Sequence, residues 1–273
     1  MKNKTIAILG GGNLGQAITR GLLQSGMVPA NKIWVTKRHT ESLNHLKKEG
    51  IHVTGDNLQA VLAGDIIILA VQPQQMECLL EEIASRIIPE RHLVISVITG
   101  VSIDRIASVL PAKTRVVRAM PNTAISIRQS MTCLCCRAGE EQSLKDAELI
   151  FKTVGKTMVI PEELMGAATV LGACGVAFFL RAIRAASQGG IEIGFHAEEA
   201  IRIAAQTAKG AAELLLTENR HPEFELDKVT TPRGITISGL NEMEHNGFSS
   251  AMIKGIVTSN EKAGRILKKL EIK

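Results

Sequence analysis

The residues best suited to chemistry lie near the start of the chain, in the segment TIAILGGGNLG from Thr5 to Gly15. Gly10, Gly12 and Gly15 fit the spacing G-x-G-x-x-G, and an apolar run precedes them. In such a motif the first glycine permits a tight turn, the second lets a pyrophosphate touch the backbone, and the third lets a helix pack against the strand. The segment predicts a dinucleotide site, with a plain strand-to-helix turn as the alternative.

The helix that follows the turn is predicted from Leu14 to about Ser25. A helix directs unpaired N–H groups and the positive end of its dipole toward whatever lies at its N-terminus. We therefore expect Asn13 and Leu14, at the start of this helix, to join the glycines in holding the phosphates of a dinucleotide.

A second strand is predicted at Lys32–Thr36, and the basic residues Lys37 and Arg38 follow it directly. A site that prefers NAD places an acidic residue about 20 residues beyond the glycine turn, on the ribose 2′-hydroxyl. This chain has two cations there, which favour a 2′-phosphate and therefore NADPH, with NADH as the alternative cofactor. A solvated turn rich in basic residues is the other interpretation.

Composition narrows the function. The chain of 273 residues has 45% hydrophobic residues but only 3% aromatic residues and no tyrosine. A catalytic mechanism in which a tyrosine acts as the acid is therefore excluded. Few aromatic residues also argue against stacking on nucleic-acid bases. The net charge of +5 is mild, and an anionic cofactor with a small anionic substrate accounts for it. We expect no nucleic-acid partner.

The chain has five cysteines, three of which (Cys133, Cys135 and Cys136) lie in the segment MTCLCC. The segment resembles a buried strand, and no histidine stands near it at a zinc spacing, so we expect core packing and no metal site. An odd number of cysteines without a framework favours a reducing compartment. The first strand follows the N-terminus directly, and the apolar run Ala167–Leu180 is short for a bilayer. We therefore expect a cytoplasmic protein that does not enter a membrane.

Strands and helices are predicted to alternate as far as Pro161, which is typical of a doubly wound α/β domain. Strands are predicted at Thr5–Leu9, Lys32–Thr36, Ile51–Thr54, Asp65–Val71, His92–Ile98, Thr114–Met120, Met131–Cys136 and Lys156–Ile160. Helices are predicted at Leu14–Ser25, Thr40–Glu49, from Asp56-Asn57 onward, and at Pro73–Ser85, Ser102–Leu110 and Gly139–Val154. Ligands bind such sheets at the carboxyl ends of the strands, so the turns there should surround the cofactor.

After Pro161 the pattern changes to helices alone, which predicts domains at residues 1–161 and 162–273. Gly166–Gly194 is predicted to form one long helix or two, and further helices are predicted at Glu198–Asn219 and Ser249–Lys269. A polar stretch at Arg220–Asp227 interrupts the pattern, and a loop leads into a helix within Val229–Gly239. The long apolar helices would be poorly covered in an isolated small bundle. We expect the chain to self-associate through them.

Five segments in order resemble the pyrroline-5-carboxylate reductases: GGGNLGQA, AVQPQ, ITGVS, RAMPNTA and DKVTTPRGITISGL. The resemblance extends nearly from end to end. It implies an N-terminal Rossmann domain, a C-terminal all-α dimerisation domain, and reduction of Δ1-pyrroline-5-carboxylate to L-proline with NADPH or NADH. It also implies a homodimer with interleaved helical domains, and dimers that assemble further.

The resemblance also implies roles for single residues. The carboxylate of a cyclic imino acid would be held by one loop, and Thr236 would lie near the imine nitrogen as the catalytic residue, with an ordinary helix N-cap as its alternative role. The substrate loop comprises Thr231, Arg233, Gly234, Ile235 and Thr236. Further cofactor residues are Asn57, Ala70, Val71, Gln72, Pro73, Met120 and Asn122, of which Met120 could instead be core and Asn122 a turn residue.

The chain departs from the family pattern at three places. Gly172–Phe178 replaces the usual S-G-S-G-P-A-Y at what is predicted to be the beginning of the long helix, and Gln72 replaces a lysine. In the substrate loop Arg233 replaces a glycine and Ile235 a threonine. Arg233 could grip the carboxylate or block the pocket, and a left-handed backbone would not accept it cheaply. Two alternatives therefore stay open: reduction of another cyclic imino acid, and a paralogue that binds NADP without turnover.

Overall fold

The computed structural model of the chain describes residues 1–218 and 220–271. It forms two compact units, one of Met1–Cys174 with the last part of the chain from Asn260, and one of Gly175–Ser259. The predicted boundary after residue 161 lies just beyond the last strand, which ends at Val159. By compactness the division falls later, within a helix.

The first unit contains an eight-stranded sheet with the order β3-β2-β1-β4-β5-β6-β7-β8. All neighbouring strands are parallel except β6 and β7, which are antiparallel. The strands are β1 Ile6–Leu9, β2 Ile33–Thr36, β3 His52–Thr54, β4 Ile66–Leu69, β5 Leu93–Ser96, β6 Arg115–Met120, β7 Ser130–Cys136 and β8 Gly155–Val159. Each predicted strand is present, most of them shorter by one to three residues.

Helices cover both faces of the sheet, because successive side chains of a strand point to opposite faces. Ile6 and Ile8 belong to one apolar core, and Ala7 and Leu9 belong to the other. The helices of this part are α1 Asn13–Gln24, α2 Asn44–Lys48, α3 Asn57–Ala63, α4 Met76–Ala84, α5 Ile103–Val109 and α6 Glu141–Lys152. The predicted helix Thr40–Glu49 is a 3-10 turn, Thr40–Leu43, followed by α2, and Thr40 makes no capping hydrogen bond.

An unbroken helical run links the sheet to the second unit. It consists of a 3-10 turn at Glu162–Leu164, α7 at Met165–Ala168, a π-helical segment at Thr169–Cys174 and α8 at Gly175–Glu192. By length and composition alone, the helical run Glu162–Glu192 could cross a membrane, since an 18-residue window within it has a mean hydropathy of 1.8, a test that core helices also pass. The apolar run Ala167–Leu180 lies inside this helical run, which begins at Glu162 instead of the predicted Gly166 and ends at Glu192 instead of Gly194.

The second unit continues with helices only. They are α9 Ala197–Glu218, α10 Pro222–Val229, α11 Ile235–His245 and α12 Phe248–Glu271, the last of which extends beyond Ser259. The predicted interruption at Arg220–Asp227 is shorter than expected, because α9 ends at Glu218 and α10 already begins at Pro222. Pro222 stands at the first turn of that helix, where a missing N–H costs nothing, and the ring of His221 caps the N–H of Glu223. Asn219, the predicted end of the preceding helix, lies outside the described residues.

Candidate active site

The glycine turn lies between β1 and α1, and its glycines have different surroundings. Gly10 has a φ of +115°, and a Cβ there would lie 2.7 Å from the carbonyl carbon of Ala70. A Cβ on Gly15 would strike the carbonyl oxygen of Gly10. A Cβ on Gly12 would meet nothing within 4 Å, so this position is open to the exterior. The turn therefore has two closed positions and one at which a ligand can reach the backbone.

Contacts around Gly11 also shape this turn, and the sequence motif did not indicate them. The N–H of Gly11 donates to the carbonyl of Thr36 at 2.7 Å, and a Cβ on Gly11 would lie 2.6 Å from Leu43. The amide of Gln16 donates to the carbonyl of Gly11 at 3.0 Å. Gly12 is the N-cap of α1 and offers no side chain, so the first N–H groups of the helix remain available.

A cleft of about 590 Å³ opens beside the turn. It is lined by predicted cofactor residues, namely Gly10, Gly12, Lys37, Arg38, Asn57, Ala70, Val71 and Gln72. Lys37 is held at the end of β2 by its N–H, which donates to the carbonyl of Thr54 at 3.1 Å. Among the side chains that the structure describes, no carboxylate forms an ion pair with Lys37 or Arg38.

Asn57 is held in a fixed orientation at the edge of this cleft. Its carbonyl oxygen accepts a hydrogen bond from Thr36 Oγ1 at 2.6 Å, and its Nδ2 donates to Glu82 Oε2 at 3.0 Å. Glu82 belongs to α4 and lines the same cleft. Sequence reasoning missed Glu82, because no motif links it to Asn57 and the two residues are 25 positions apart.

The exit of β4 supplies the opposite wall. The N–H of Ala70 donates to the carbonyl of Leu9 at 2.8 Å, which continues the hydrogen bonding between the parallel strands β1 and β4. A 3-10 turn begins three residues later, at Pro73. The N–H of Gln72 donates to the side chain of Gln75 at 3.4 Å, which closes that turn. Gln72 itself is exposed in the cleft.

A second cleft of about 610 Å³ lies on the other side of the turn. Asn13 and Leu14 from the start of α1 line it together with Asn122 and Ala173. Met120, at the end of β6, is half-buried and packs against one of the two cores, and it accepts a long contact of 3.9 Å from Thr99. The structure therefore brings the predicted cofactor residues to the carboxyl ends of β1, β2, β4 and β6.

Asn122 connects this second cleft to the π-helical segment. Its Nδ2 donates to the carbonyl of Gly172 at 3.2 Å, and its Oδ1 accepts from the N–H of Ala124 at 3.0 Å. The segment Gly172–Phe178 was predicted to begin the long helix. In the structure α8 does begin within this segment, at Gly175, but helical residues already start at Glu162 and Gly172 lies in the π-helical segment. The changed residues therefore occupy the interior of a helix, and π-helical turns are frequent at functional sites.

An ion pair between a buried arginine and a half-buried glutamate fixes the start of that helical run to the sheet. Arg118 of β6 is 9% exposed, and its Nη1 lies 2.8 Å from Glu162 Oε1. The same oxygen accepts the N–H of Ile103 at 2.8 Å. Removal of the Glu162 charge would leave the buried guanidinium of Arg118 without its partner, which is costly in a buried position. This pair holds the strand whose end carries Met120 and Asn122.

The predicted substrate loop belongs to the second unit, which the structure describes by itself. Arg233 has a φ of +60°, a left-handed conformation that an arginine seldom adopts. Gly234 is the N-cap of α11, and a Cβ there would strike Thr231 Oγ1. Thr236 lies inside the first turn of α11, so the alternative of an N-cap role for Thr236 is wrong.

The side chains of this loop point outward. Ile235 is 93% exposed, and Thr231, Arg233 and Thr236 are exposed as well. Among the described residues, no protein group forms a hydrogen bond with the hydroxyl of Thr236. The loop therefore presents a free hydroxyl, a guanidinium and the first N–H groups of a helix.

Titratable groups with shifted pKa values lie away from both clefts in the described part of the chain. Burial raises the pKa of Cys135 to about 12, and burial also raises the pKa of Cys133 and of Glu140. Of the five thiols, Cys78 and Cys174 are exposed, and all five are free. The described residues contain no cluster that could hold a metal ion.

The sheet, its glycine turn and the basic cleft define a dinucleotide-dependent oxidoreductase of the Rossmann type. Residues 5–100 match the family model for NADP oxidoreductases that are coenzyme F420-dependent. Residues 162–266 match the model for pyrroline-5-carboxylate reductase dimerisation. The helical region is therefore a dimerisation domain, which supports a homodimer.

Individual relatives agree. Pyrroline-5-carboxylate reductase 1 of Dictyostelium discoideum is 54% identical over 96% of this chain, and the chain spans about half of that relative, 49%. Pyrroline-5-carboxylate reductase 2 of the same organism is 50% identical, and the match covers 96% of this chain and 93% of the relative. The chain belongs to the pyrroline-5-carboxylate reductase family. The predicted family, the predicted fold class and the predicted NADP-dependent oxidoreductase class are confirmed.

Solved structures show the same likeness. A pyrroline-5-carboxylate reductase from Coxiella burnetii is 31% identical, with a TM-score of 0.90 and 98% of each chain covered. The fold is also shared with pyrroline carboxylate reductase from Plasmodium falciparum, which was solved with NADP bound. The two chains are 23% identical and superpose with a TM-score of 0.85. The match covers 96% of this chain and 98% of the Plasmodium falciparum chain.

Proposed function

We propose that the chain reduces Δ1-pyrroline-5-carboxylate to L-proline, with NADPH as the preferred hydride donor and NADH as a weaker one. The observation that carries this proposal is the cleft beside the glycine turn, which combines an open Gly12 with Lys37 and Arg38, two cations that pair with no carboxylate among the described side chains. Relatives named for this reaction cover most of the chain, which supports the same substrate.

The residues present suit NADPH. The open backbone at Gly12 and the N-terminus of α1 would hold the pyrophosphate, since both offer N–H groups and no side chain blocks them. Lys37 and Arg38 would bind the 2′-phosphate, and Asn57 would contact the adenosine side. Ala70, Val71, Gln72 and Pro73 would lie along the ribose and nicotinamide, with Met120 and Asn122 beyond them.

Little side-chain chemistry is needed for this reaction. NADPH, when bound, supplies the hydride that saturates the imine carbon. A protonated cyclic imine is already electrophilic, so the residues of the chain need mainly to orient it.

The substrate would be held by the loop that precedes α11. The first N–H groups of α11, after the N-cap Gly234, would bind the carboxylate together with the hydroxyl of Thr231. The free hydroxyl of Thr236 would form a hydrogen bond near the imine nitrogen and so fix the face that accepts the hydride. Arg233 would add a charged grip on the carboxylate.

We further propose that dimers assemble into a larger oligomer and that the protein works in the cytoplasm, without nucleic-acid or membrane partners. Exposed apolar side chains along α8 to α12 support association. Five free thiols support a reducing compartment.

The experiment is an assay of NADPH consumption with Δ1-pyrroline-5-carboxylate, and with its six-membered-ring homologue in parallel. We expect saturable turnover with the five-membered ring, and a clearly lower kcat/KM with the larger ring. The unusual Arg233 and the exposed Ile235 favour one second candidate, reduction of a different cyclic imino acid, and a preference for the larger ring would support it. NADPH binding without turnover on either ring would contradict both.

A further inference from the structure

The cleft that would hold the 2′-phosphate also contains a carboxylate. Its charged or titratable lining residues are Lys37, Arg38, His39 and Glu82, besides the thiol of Cys78. Glu82 comes from α4, which faces the end of β2 across the cleft. Sites that prefer NAD use an acidic residue to accept the ribose 2′-hydroxyl, but that residue usually follows the second strand. Here the acid enters from a different element.

The carboxylate of Glu82 has a defined position in the cleft, because its Oε2 accepts a hydrogen bond from Asn57 Nδ2 at 3.0 Å. Thr36 Oγ1 donates to the other end of the same amide at 2.6 Å. These two contacts fix which end of the amide faces Glu82. The carboxylate therefore stays at the adenosine side of the cleft instead of moving freely in solvent.

We propose that Glu82 is a specificity-determining residue that limits the preference of this site for NADPH over NADH. Its negative charge opposes a 2′-phosphate, whereas an unphosphorylated ribose carries no charge for it to repel. The inference rests on the proposed function, since it assumes that Lys37 and Arg38 bind the 2′-phosphate. It explains how one cleft can serve both dinucleotides, with two cations in favour of the phosphate and one anion against it.

The test compares dissociation constants for NADPH and NADH in the wild-type protein, in Glu82→Gln and in Glu81→Gln. Glutamine keeps an acceptor for Asn57 Nδ2 and removes only the charge. Glu81 is the matched control, because it is an exposed neighbour on α4 that does not line the cleft. We expect Glu82→Gln to raise the preference for NADPH by about threefold to tenfold at low salt, and less at high salt, because salt screens exposed charges.

A preference that stays within about twofold of wild type in Glu82→Gln would overturn the inference, as would an equal rise in Glu81→Gln. A gain that does not depend on salt would also contradict it, because the effect would then not be electrostatic. Lys37→Ala with Arg38→Ala separates this failure from that of the proposed function. If that double variant binds NADPH as well as before, the phosphate placement itself is wrong; if it loses NADPH selectively, only the role of Glu82 is in question.

Discussion

The sheet unit and the helical unit differ in how far they bury their apolar side chains. In the sheet unit every residue of β1, β4 and β5 is buried. In the helical unit Ala200 is a rare buried apolar residue among those described, whereas Phe179, Leu180, Ile193 and Leu216 are more than half exposed. The sheet unit completes its own core, but the helical unit needs a second surface to cover it.

This difference separates two parts of the function. The proposed cofactor residues lie on a scaffold that one chain can build alone, because their positions follow from strand order and turn geometry. The proposed substrate loop lies on helices whose apolar faces are exposed in the single chain. Dinucleotide binding should therefore tolerate damage to the dimer, whereas turnover should not.

The largest predicted effect breaks the helical unit. Phe179→Asp with Leu180→Asp places two charges on the exposed face of α8. Each large side chain contributes about 1.5–3 kcal/mol when covered, so dimerisation should weaken by at least about 100-fold. Light scattering would measure the mass, and circular dichroism would show that the helices remain. As a control, Leu62→Asp with Leu149→Asp changes exposed leucines of the sheet unit, at 48% and 43% exposure, and should leave the dimer intact. A double α8 variant that remains dimeric at micromolar concentration would contradict the comparison.

The next effect tests the sheet unit. Lys37→Ala with Arg38→Ala removes both cations from the cleft and should weaken NADPH binding by about 10-fold to 100-fold, because hydrogen bonds to charged groups contribute about 1.5–3 kcal/mol. NADH binding should change by less than about threefold, since it lacks the 2′-phosphate. Calorimetry would measure both. Lys47→Ala with Lys48→Ala on α2 removes the same charge outside the cleft and controls for overall electrostatics. Equal losses of affinity for NADPH and NADH would contradict the placement of the 2′-phosphate beside Lys37 and Arg38.

A third effect concerns the substrate loop. Thr236→Val keeps the shape of the side chain but removes the free hydroxyl, so kcat/KM should fall by about tenfold while NADPH affinity is unchanged. Steady-state kinetics and a cofactor titration would check this. Thr230→Val is the control, because the hydroxyl of Thr230 bonds to the carbonyl of Asp227 outside the loop. Unchanged kinetics in Thr236→Val would reduce Thr236 to a helix residue.

A smaller effect comes from backbone strain. Arg233 and Lys113 both have left-handed backbones, with φ of +60° and +67°. Replacing either with glycine should relieve strain and stabilise the protein by about 0.5–1 kcal/mol, measured by urea unfolding. Only Arg233→Gly should also raise the KM for the imino acid, since Lys113 lies outside the loop. If both variants keep the same KM, Arg233 does not grip the carboxylate.

The smallest effect is a pH dependence in the sheet unit. Burial, followed by the positive charge of Arg91, lowers the pKa of His92 below its ordinary 6.5. The unfolded chain therefore binds a proton first as the pH falls below 6.5, and stability declines until the folded pKa is passed. His92→Gln should flatten this decline in thermal unfolding as the pH falls below 6.5. His39→Gln, at an exposed position, should leave the decline as it is; an identical slope in His92→Gln would contradict the prediction.

Much of the sheet unit could be predicted, because apolar runs of four or more residues between turn signals define buried strands. The glycine spacing located the turn after β1, and the basic pair located the cleft. Glu82 could not be found in this way, since its contact with Asn57 depends on how α4 packs and not on any local pattern. The ion pair of Arg118 with Glu162 was missed for the same reason.

The helical unit was harder to predict in detail. The π-helical segment Thr169–Cys174 shifts the register within a continuous helix, and periodicity at 3.6 residues gives no sign of it. A proline and several charged residues suggested an interruption where α10 in fact begins, because proline is also well suited to the first turn of a helix.

The distribution of thiols makes the cleft accessible to chemical labelling. Cys133 and Cys135 are buried, and burial raises the pKa of both thiols. Cys78, by contrast, is exposed on the wall of the proposed cofactor cleft. With Cys174 changed to serine, an alkylating dye should therefore attach mainly at Cys78. A bound dinucleotide would shield that thiol, so the rate of labelling becomes an optical measure of cleft occupancy that needs no substrate and no turnover.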